Sequence, residues 1–256
     1  MSLGWTVLKL GGELLEEPAR MGELAAAIRR AAAVVPLVVV HGGGREIDAA
    51  LKRAGIAKRQ VDGLRVTDEA TLGVVVEVLA GTINTHLVAA INAAGGQAVG
   101  LTGADAGVAT VDAAPPHTSV DGTVTDLGSD GYLPVVASIG MSVDGSLYNV
   151  NADTMAAHVA GKLCAARLVI AGATAGVLDE HGRTIAQLDR AAASALIASG
   201  TASAGMIAKL RACQDAIGNG AMEVLLMDGR TAHAIETVLT DADSRRAGDS
   251  LTRMVA

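Results

Sequence analysis

The sequence is almost empty of aromatic residues. Its 256 residues include no phenylalanine, one tryptophan (Trp5) and two tyrosines (Tyr132, Tyr148). Single-stranded nucleic acids are held by stacking bases on aromatic rings, so that class of function falls away. Basic residues are also the minority, 20 against 27 acidic, for a net charge of −7. Nucleic-acid binders carry the opposite excess, and no nucleic-acid partner is expected. Two cysteines, Cys164 and Cys213, are too few for a disulfide framework or a zinc site. They read as small buried hydrophobes in a reducing compartment, so a cytoplasmic location is expected. The densest apolar run, Ala31 to Val40, contains Pro36 and is closed by His41. A membrane span needs about 18 or more apolar residues, so no membrane partner is expected. The N-terminus reaches Lys9 and Glu13 without the apolar core of a signal peptide.

The usual ligand motifs are missing as well. Gly161-Lys162 lacks both the partner glycine and the hydroxyl of a P-loop, and no Gly-x-Gly-x-x-Gly follows the first strand. The histidines at 41, 86, 117, 158, 181 and 233 show no metal-ligand spacing, so no metal-ligating residue is expected. His41 reads as structural, below a glycine loop.

What is present is the material for a large core. Half of the chain is hydrophobic and only 18% is charged, which excludes disorder. A chain of this length buries about 70% of its surface, so one domain over residues 1–256 needs no disulfide or structural metal. Short apolar strands alternate with helical periodicity. Strands are expected at Thr6–Leu10, Pro36–Val40, Ala98–Leu101, Leu133–Ala137, Ala166–Ala171 and Glu223–Met227. Helices are expected at Pro18–Ala33, Arg45–Arg53, Asp68–Ala93, Asn151–Cys164, Ala191–Ser199, Met206–Gly218 and Ala232–Leu239. Val108 to Asp130 reads as hairpins and loops, and Val177–Ile185 as a hairpin. Strand, glycine turn and helix in repetition predict an α/β fold: a three-layer αβα sandwich with an open, mainly parallel sheet.

Three glycine turns sit at strand ends or helix starts: Lys9-Leu10-Gly11-Gly12, His41-Gly42-Gly43-Gly44, and Ser203-Ala204-Gly205-Met206 ahead of Lys209. Glycine lets a backbone approach a ligand, and a helix start favours phosphate or carboxylate. That edge of an α/β sheet is where ligands bind. Lys9 is a charge in an otherwise apolar strand, followed at once by glycines, and reads as aimed into a site rather than snorkelling. Arg65, in a short β segment, is a surface arginine or a bidentate carboxylate clamp. Asn149-Val150-Asn151-Ala152-Asp153 opens a helix, where simple capping is the plainer role. Lys209 taken alone is an ordinary helix lysine.

These motifs, with Gly63-Leu64-Arg65-Val66-Thr67-Asp68 between them, occur in the order found in the amino acid kinase family, which the chain resembles from about Trp5 to an expected final strand at Gly248–Val255. Within that family it is most similar to the branch that phosphorylates N-acetyl-L-glutamate in arginine biosynthesis. The resemblance implies two lobes, an N-terminal one to about residue 147 for the acyl amino acid and a C-terminal one from about 148 for ATP with Mg²⁺. It implies that Lys9 and Lys209 contact the transferred phosphoryl group and that Asp153 orients them. Gly43, Gly44, Arg65, Asn149 and Asn151 would bind the acceptor. Gly11, Gly12, Ala173, Thr174, Gly176, Val177, Leu178, Ser203, Gly205 and Met206 would hold phosphates and nucleotide. A carboxylate acceptor is already a nucleophile, so no general base is required.

Two departures stand out. The family's nucleotide turn usually reads Thr-Asp-Val before Gly-Val-Leu, whereas this chain has Gly172-Ala173-Thr174-Ala175 and so loses an acidic residue. Ala204 stands where the family often has Asp or Gly. Arginine-inhibited relatives resemble hexamers held by an extra N-terminal helix. With the first strand starting near residue 5, a homodimer insensitive to arginine is expected, built on the apolar helix from Asp68. The alternatives are a sister kinase for another acyl or carrier-bound amino acid of the aminoadipate type, and an inactive kinase fold serving as a ligand-binding module.

Overall fold

A computed structural model describes residues 4–61, 64–111, 118–119, 127–200, 202, 204–241 and 251–255. Asp62, Gly63, Ser203, the start of the expected last strand and much of the Val108–Asp130 stretch lie outside the described residues. The strands are β1 (Thr6–Leu10), β2 (Leu37–His41), β3 (Gln60–Val61), β4 (Leu64–Arg65), β5 (Ala98–Thr102), β6 (Thr110–Val111) and β7 (Thr118–Ser119). They continue with β8 (Leu133–Ala137), β9 (Ile139–Met141), β10 (Leu147–Asn149), β11 (Arg167–Gly172), β12 (Gln187–Leu188), β13 (Glu223–Asp228) and β14 (Leu251–Val255). The helices are α1 (Pro18–Ala32), α2 (Gly44–Arg53), α3 (Glu69–Ala93), α4 (Ala152–Lys162), α5 (Arg190–Ala198), α6 (Ala204–Gly218) and α7 (Ala232–Thr240).

Eight strands form one sheet in the order β12-β14-β13-β11-β1-β2-β8-β5. From β13 to β5 every neighbour is parallel, and β14 runs antiparallel to β13. β1 lies at the centre, in register with β11 on one side and β2 on the other. The chain thus crosses from β1 to β2 in one direction and reaches β11 in the other. The carboxyl ends of these three strands border the crevice where open α/β sheets take ligands.

Strand alternation divides the core in two. Leu8 and Leu10 face a cluster that includes Leu24 and Ile28 of α1, Ile47 and Leu51 of α2, Leu79 and Leu87 of α3 and Ile235 of α7. Val7, Val38 and Val40 face Met155 and Val159 of α4, Ala193 of α5 and Leu210 and Cys213 of α6. These are the three layers expected from the sequence. The same alternation turns Lys9, two positions after Val7, toward the α4 face.

α3 is, among the described residues, the one helix long and apolar enough to cross a membrane by length and composition. Its Val75, Val78, Leu79, Ile83, Leu87 and Ile91 pack into the first core cluster instead. Leu72, Val74 and Val76 are half-buried, so only part of the apolar helix middle faces outward. The segment Glu77–Asn84 is wound as a π-helix. Asn84 there donates to Val135 O at 2.9 Å and lies 3.0 Å from His41 Nε2. One of the two cysteines differs from expectation. Cys213 is buried, but Cys164 is exposed just past α4 with φ +44, so it ends the helix rather than filling the core.

Candidate active site

The glycine turns after β1 and β2 touch. A Cβ on Gly12 would sit 2.7 Å from Gly43 Cα, so the two backbones pass closer than any side chain allows. Gly43 is crowded from below as well, where the side chains of Ile83 and Leu79 in the π segment press on it. The crossing brings the start of α2 to the end of β1. It opens a cleft of about 500 Å³. Lys9, Gly11, Gly12, Gly43, Gly44, Arg65, Asn149, Asn151 and Asp153 all line it. Nine expected site residues, spread over 145 positions of sequence from Lys9 to Asp153, therefore share one cavity.

Asp153 lies in the first turn of α4, capped by Asn151, whose Oδ1 accepts the N–H groups of Asp153 at 2.9 Å and Thr154 at 3.2 Å. The Asp153 side chain is 7% exposed and pairs with Lys9 Nζ at 2.8 Å. Lys209, one turn into α6, reaches the other carboxylate oxygen at 3.6 Å. Burial pushes the Asp153 carboxyl up, but the charges of Lys9 and Lys209 outweigh it and hold it below the usual carboxylate range. One buried anion thus holds two ammonium groups from opposite halves of the chain at one point.

Arg65 reaches the cleft from the β3–β4 hairpin. Its Nη2 donates to Asp48 Oδ1 at 2.6 Å and to Gly44 O at 3.3 Å. Its Nη1 is buried without a partner. Asp48 is itself held by Lys58 at 2.7 Å. The guanidinium is therefore fixed along one edge and keeps donors for an anion. Asn149 donates to Thr67 Oγ1 at 3.0 Å, which ties β10 to the segment after Arg65. Asn151 has its carbonyl oxygen occupied by capping, the plainer of its two expected roles.

His41 is fully buried at the end of β2, and burial brings its pKa down to about 4. It is a neutral strut between Asn84 and the Gly42 carbonyl.

Of the expected phosphate and nucleotide residues, Gly11 and Gly12 line the cleft, whereas those from Ala173 onward are not among its lining. Ala173, Thr174 and Leu178 are exposed. Gly176, at φ +84, and Val177 are buried against β14, where Val177 N–H donates to Thr252 Oγ1 at 2.8 Å. Gly205 is exposed and Met206 is half-buried at the start of α6. Two side chains of the site went unnoticed in the sequence. Glu13 lines the cleft, and its Oε1 accepts the N–H of Ala173 at 3.2 Å. Asp48 clamps Arg65. A charged residue directly after Lys-Leu-Gly-Gly was a usable signal for the first. Nothing local marked the second.

The sequence profile of the amino acid kinase family matches residues 4–228. An acetylglutamate kinase of Sphingopyxis alaskensis is 39% identical over 270 residues, covering 96% of this chain and 88% of its own. One of Erythrobacter litoralis is 42% identical over 253 residues, covering 90% and 84%. Among solved structures, an N-acetylglutamate synthase from Neisseria gonorrhoeae, complexed with coenzyme A and N-acetyl-glutamate, shares the fold. Its TM-score is 0.84 at 23% identity over 100% of this chain and 60% of that one.

Proposed function

The chain belongs to the amino acid kinase family, and we propose that it transfers the γ-phosphoryl group of ATP to the side-chain carboxylate of N-acetyl-L-glutamate. The product is the acyl phosphate used in arginine biosynthesis. The observation that carries this reading is the meeting of Lys9 and Lys209 on buried Asp153 at a glycine-lined cleft. Relatives at about 40% identity, named for this activity, supply the substrate.

The chemistry suits the residues. A carboxylate is anionic at neutral pH and attacks without a general base, so a neutral, buried His41 is no obstacle. Phosphoryl transfer needs alignment and relief of negative charge. Lys9 and Lys209 neutralise the group in flight, while the N–H groups of Gly11, Gly43 and Gly44 orient it. Arg65 takes the acceptor's α-carboxylate with the donors Asp48 leaves free, and Asn149 flanks it. In this reading the N-terminal half, to about residue 147, holds the acceptor. The rest holds the nucleotide on Ala173, Thr174, Leu178, Gly205 and Met206. Mg²⁺ bound to ATP would offset the charge of the phosphates. The donor set suits an ion carried by the nucleotide: Asp153 is taken up by two lysines, and Glu13 brings one hard oxygen donor to the cleft.

We further propose a homodimer in the cytoplasm, formed along the outward side of α3 beside the open edge strand β5; light scattering giving a monomer would exclude it. The reaction is tested by trapping acyl phosphate with hydroxylamine from MgATP and a panel of acceptors. N-acetyl-L-glutamate should give the highest kcat/KM. A higher value for an aminoadipate derivative would move the chain to the sister kinases, and nucleotide binding without turnover would make it a binding module.

A further inference from the structure

In the phosphoryl-transfer reading, one carboxylate of the cleft touches neither the acceptor nor the lysine pair. Glu13 follows the turn after β1, inside the 3-10 turn Gly12–Leu14. Its side chain folds back over that turn. A Cβ on Gly11 would run into its carboxylate, and one on Gly172 would come within 3.3 Å of Oε1. With its bond from Ala173 N–H, the carboxylate bridges the carboxyl ends of β1 and β11. Among the described residues no lysine or arginine pairs with it.

An uncompensated anion at this place would repel phosphates. Yet Gly11 and Gly12 beside it, and Lys9 behind it, are arranged to receive them. The conflict disappears if the incoming phosphates carry a divalent cation. Magnesium takes hard oxygen ligands, commonly one or two carboxylates alongside substrate phosphates and water. The same turn is short of an acidic residue, because Ala173 stands in the position where the family pattern has Asp. The carboxylate at Ala173 comes instead from Glu13, in the turn that follows the neighbouring strand β1.

We propose that Glu13 is this chain's contact to the divalent cation of the nucleotide, direct or through one of the ion's waters, and that it makes the enzyme select metal-bound over metal-free nucleotide. This rests on the nucleotide reading above. The rival role is a simple cap for the Ala173 N–H. Glu13→Gln separates the two, since glutamine keeps an acceptor oxygen and loses the charge.

The experiment is ADP binding by calorimetry, with Mg²⁺ and with EDTA, for wild type, Glu13→Gln and Glu13→Ala. Wild type should bind ADP about tenfold or more tighter with Mg²⁺, the scale of one charge-assisted contact. In both variants that ratio should fall to about threefold or less, with metal-free ADP bound as well as or better than by wild type. A wild-type ratio retained in Glu13→Gln would overturn the proposal. So would equal weakening of both forms in Glu13→Ala alone, which is the signature of a cap. Wild type that binds ADP in neither condition would overturn the nucleotide reading and this inference with it.

Discussion

Replacing Asp153 by asparagine keeps the shape of the side chain and removes the charge that two lysines share. The direct attractions are large. At an effective dielectric constant of about 20, a pair at 2.8 Å is worth about 6 kcal/mol and one at 3.6 Å about 4–5 kcal/mol before desolvation. Most of that only offsets the cost of burying the ions, so the gross figures do not measure stability. The useful quantity is the cost of orphaning a buried cation, about 3–5 kcal/mol. Lys9 is the cation at risk, because its side chain is 7% exposed while that of Lys209 is 24% exposed and can turn to water. For a chain of this size each kcal/mol moves Tm by about 2–4 °C, so Asp153→Asn should melt about 6–20 °C lower at pH 7. Lys9→Met/Asp153→Asn, which removes the orphaned cation too, should recover part of the loss. The acid limb gives a second reading. The folded carboxyl titrates below the usual range, so its contribution is complete above about pH 4 and is lost as pH falls through the folded value. Asp153→Asn should lack that part of the acid transition. A variant melting within about 2–4 °C of wild type would refute the claim that Asp153 holds buried charge together.

Further outcomes follow from the same geometry. Asp48→Asn should raise KM for the acceptor about tenfold or more and leave kcat and the nucleotide KM nearly unchanged, because it loosens Arg65 without touching phosphates. Equal losses for both substrates would mean that Asp48 serves the fold alone. His41 is held neutral, with its pKa at about 4 against 6.5 in the unfolded chain. The unfolded state therefore takes up the proton first, and stability should decline by about 3 kcal/mol as pH falls from about 6.5 to 4. His41→Gln should flatten that slope in denaturant titrations, whatever it costs at pH 7. Gly12→Ala should destabilise by about 1–3 kcal/mol, since its Cβ meets the Gly43 backbone, which cannot yield as a side chain would. Thermal melts within error of wild type would show that the two turns can part.

The main sheet was legible because its strands are short apolar runs punctuated by glycine. β1 falls on the expected residues, and β2 is displaced by one toward His41. Capping was legible in the Asn149–Asp153 segment and a helix start at Asp68, and the side chains of Asn151 and Asp68 do accept N–H bonds there. The π winding of Glu77–Asn84 was not, since a short widened stretch barely disturbs the spacing of apolar residues over a long helix. It is set by tertiary demands, with Asn84 reaching β8 and Ile83 pressing on Gly43. In the site, Lys9 could be singled out as a charge inside an apolar strand, whereas Arg65 and Asp153 took their roles from the family resemblance, because a surface arginine and a helix-start residue are ordinary by themselves. Glu13 and Asp48 stand among other charges, so only the three-dimensional arrangement separates them from an ordinary surface. Cys164 misled for the opposite reason: apolar neighbours suggest burial, but the chain turns left-handed there and leaves the thiol outside.

The most direct test of the central claim is acyl-phosphate formation from MgATP and N-acetyl-L-glutamate by wild type beside Lys9→Ala and Lys209→Ala. Wild type should turn over, and each variant should remain folded and lose about 10²–10³ in kcat, the worth of one donor to the transferred group. Full turnover in either variant would remove that lysine from the mechanism, and a silent, folded wild type would contradict the reaction itself.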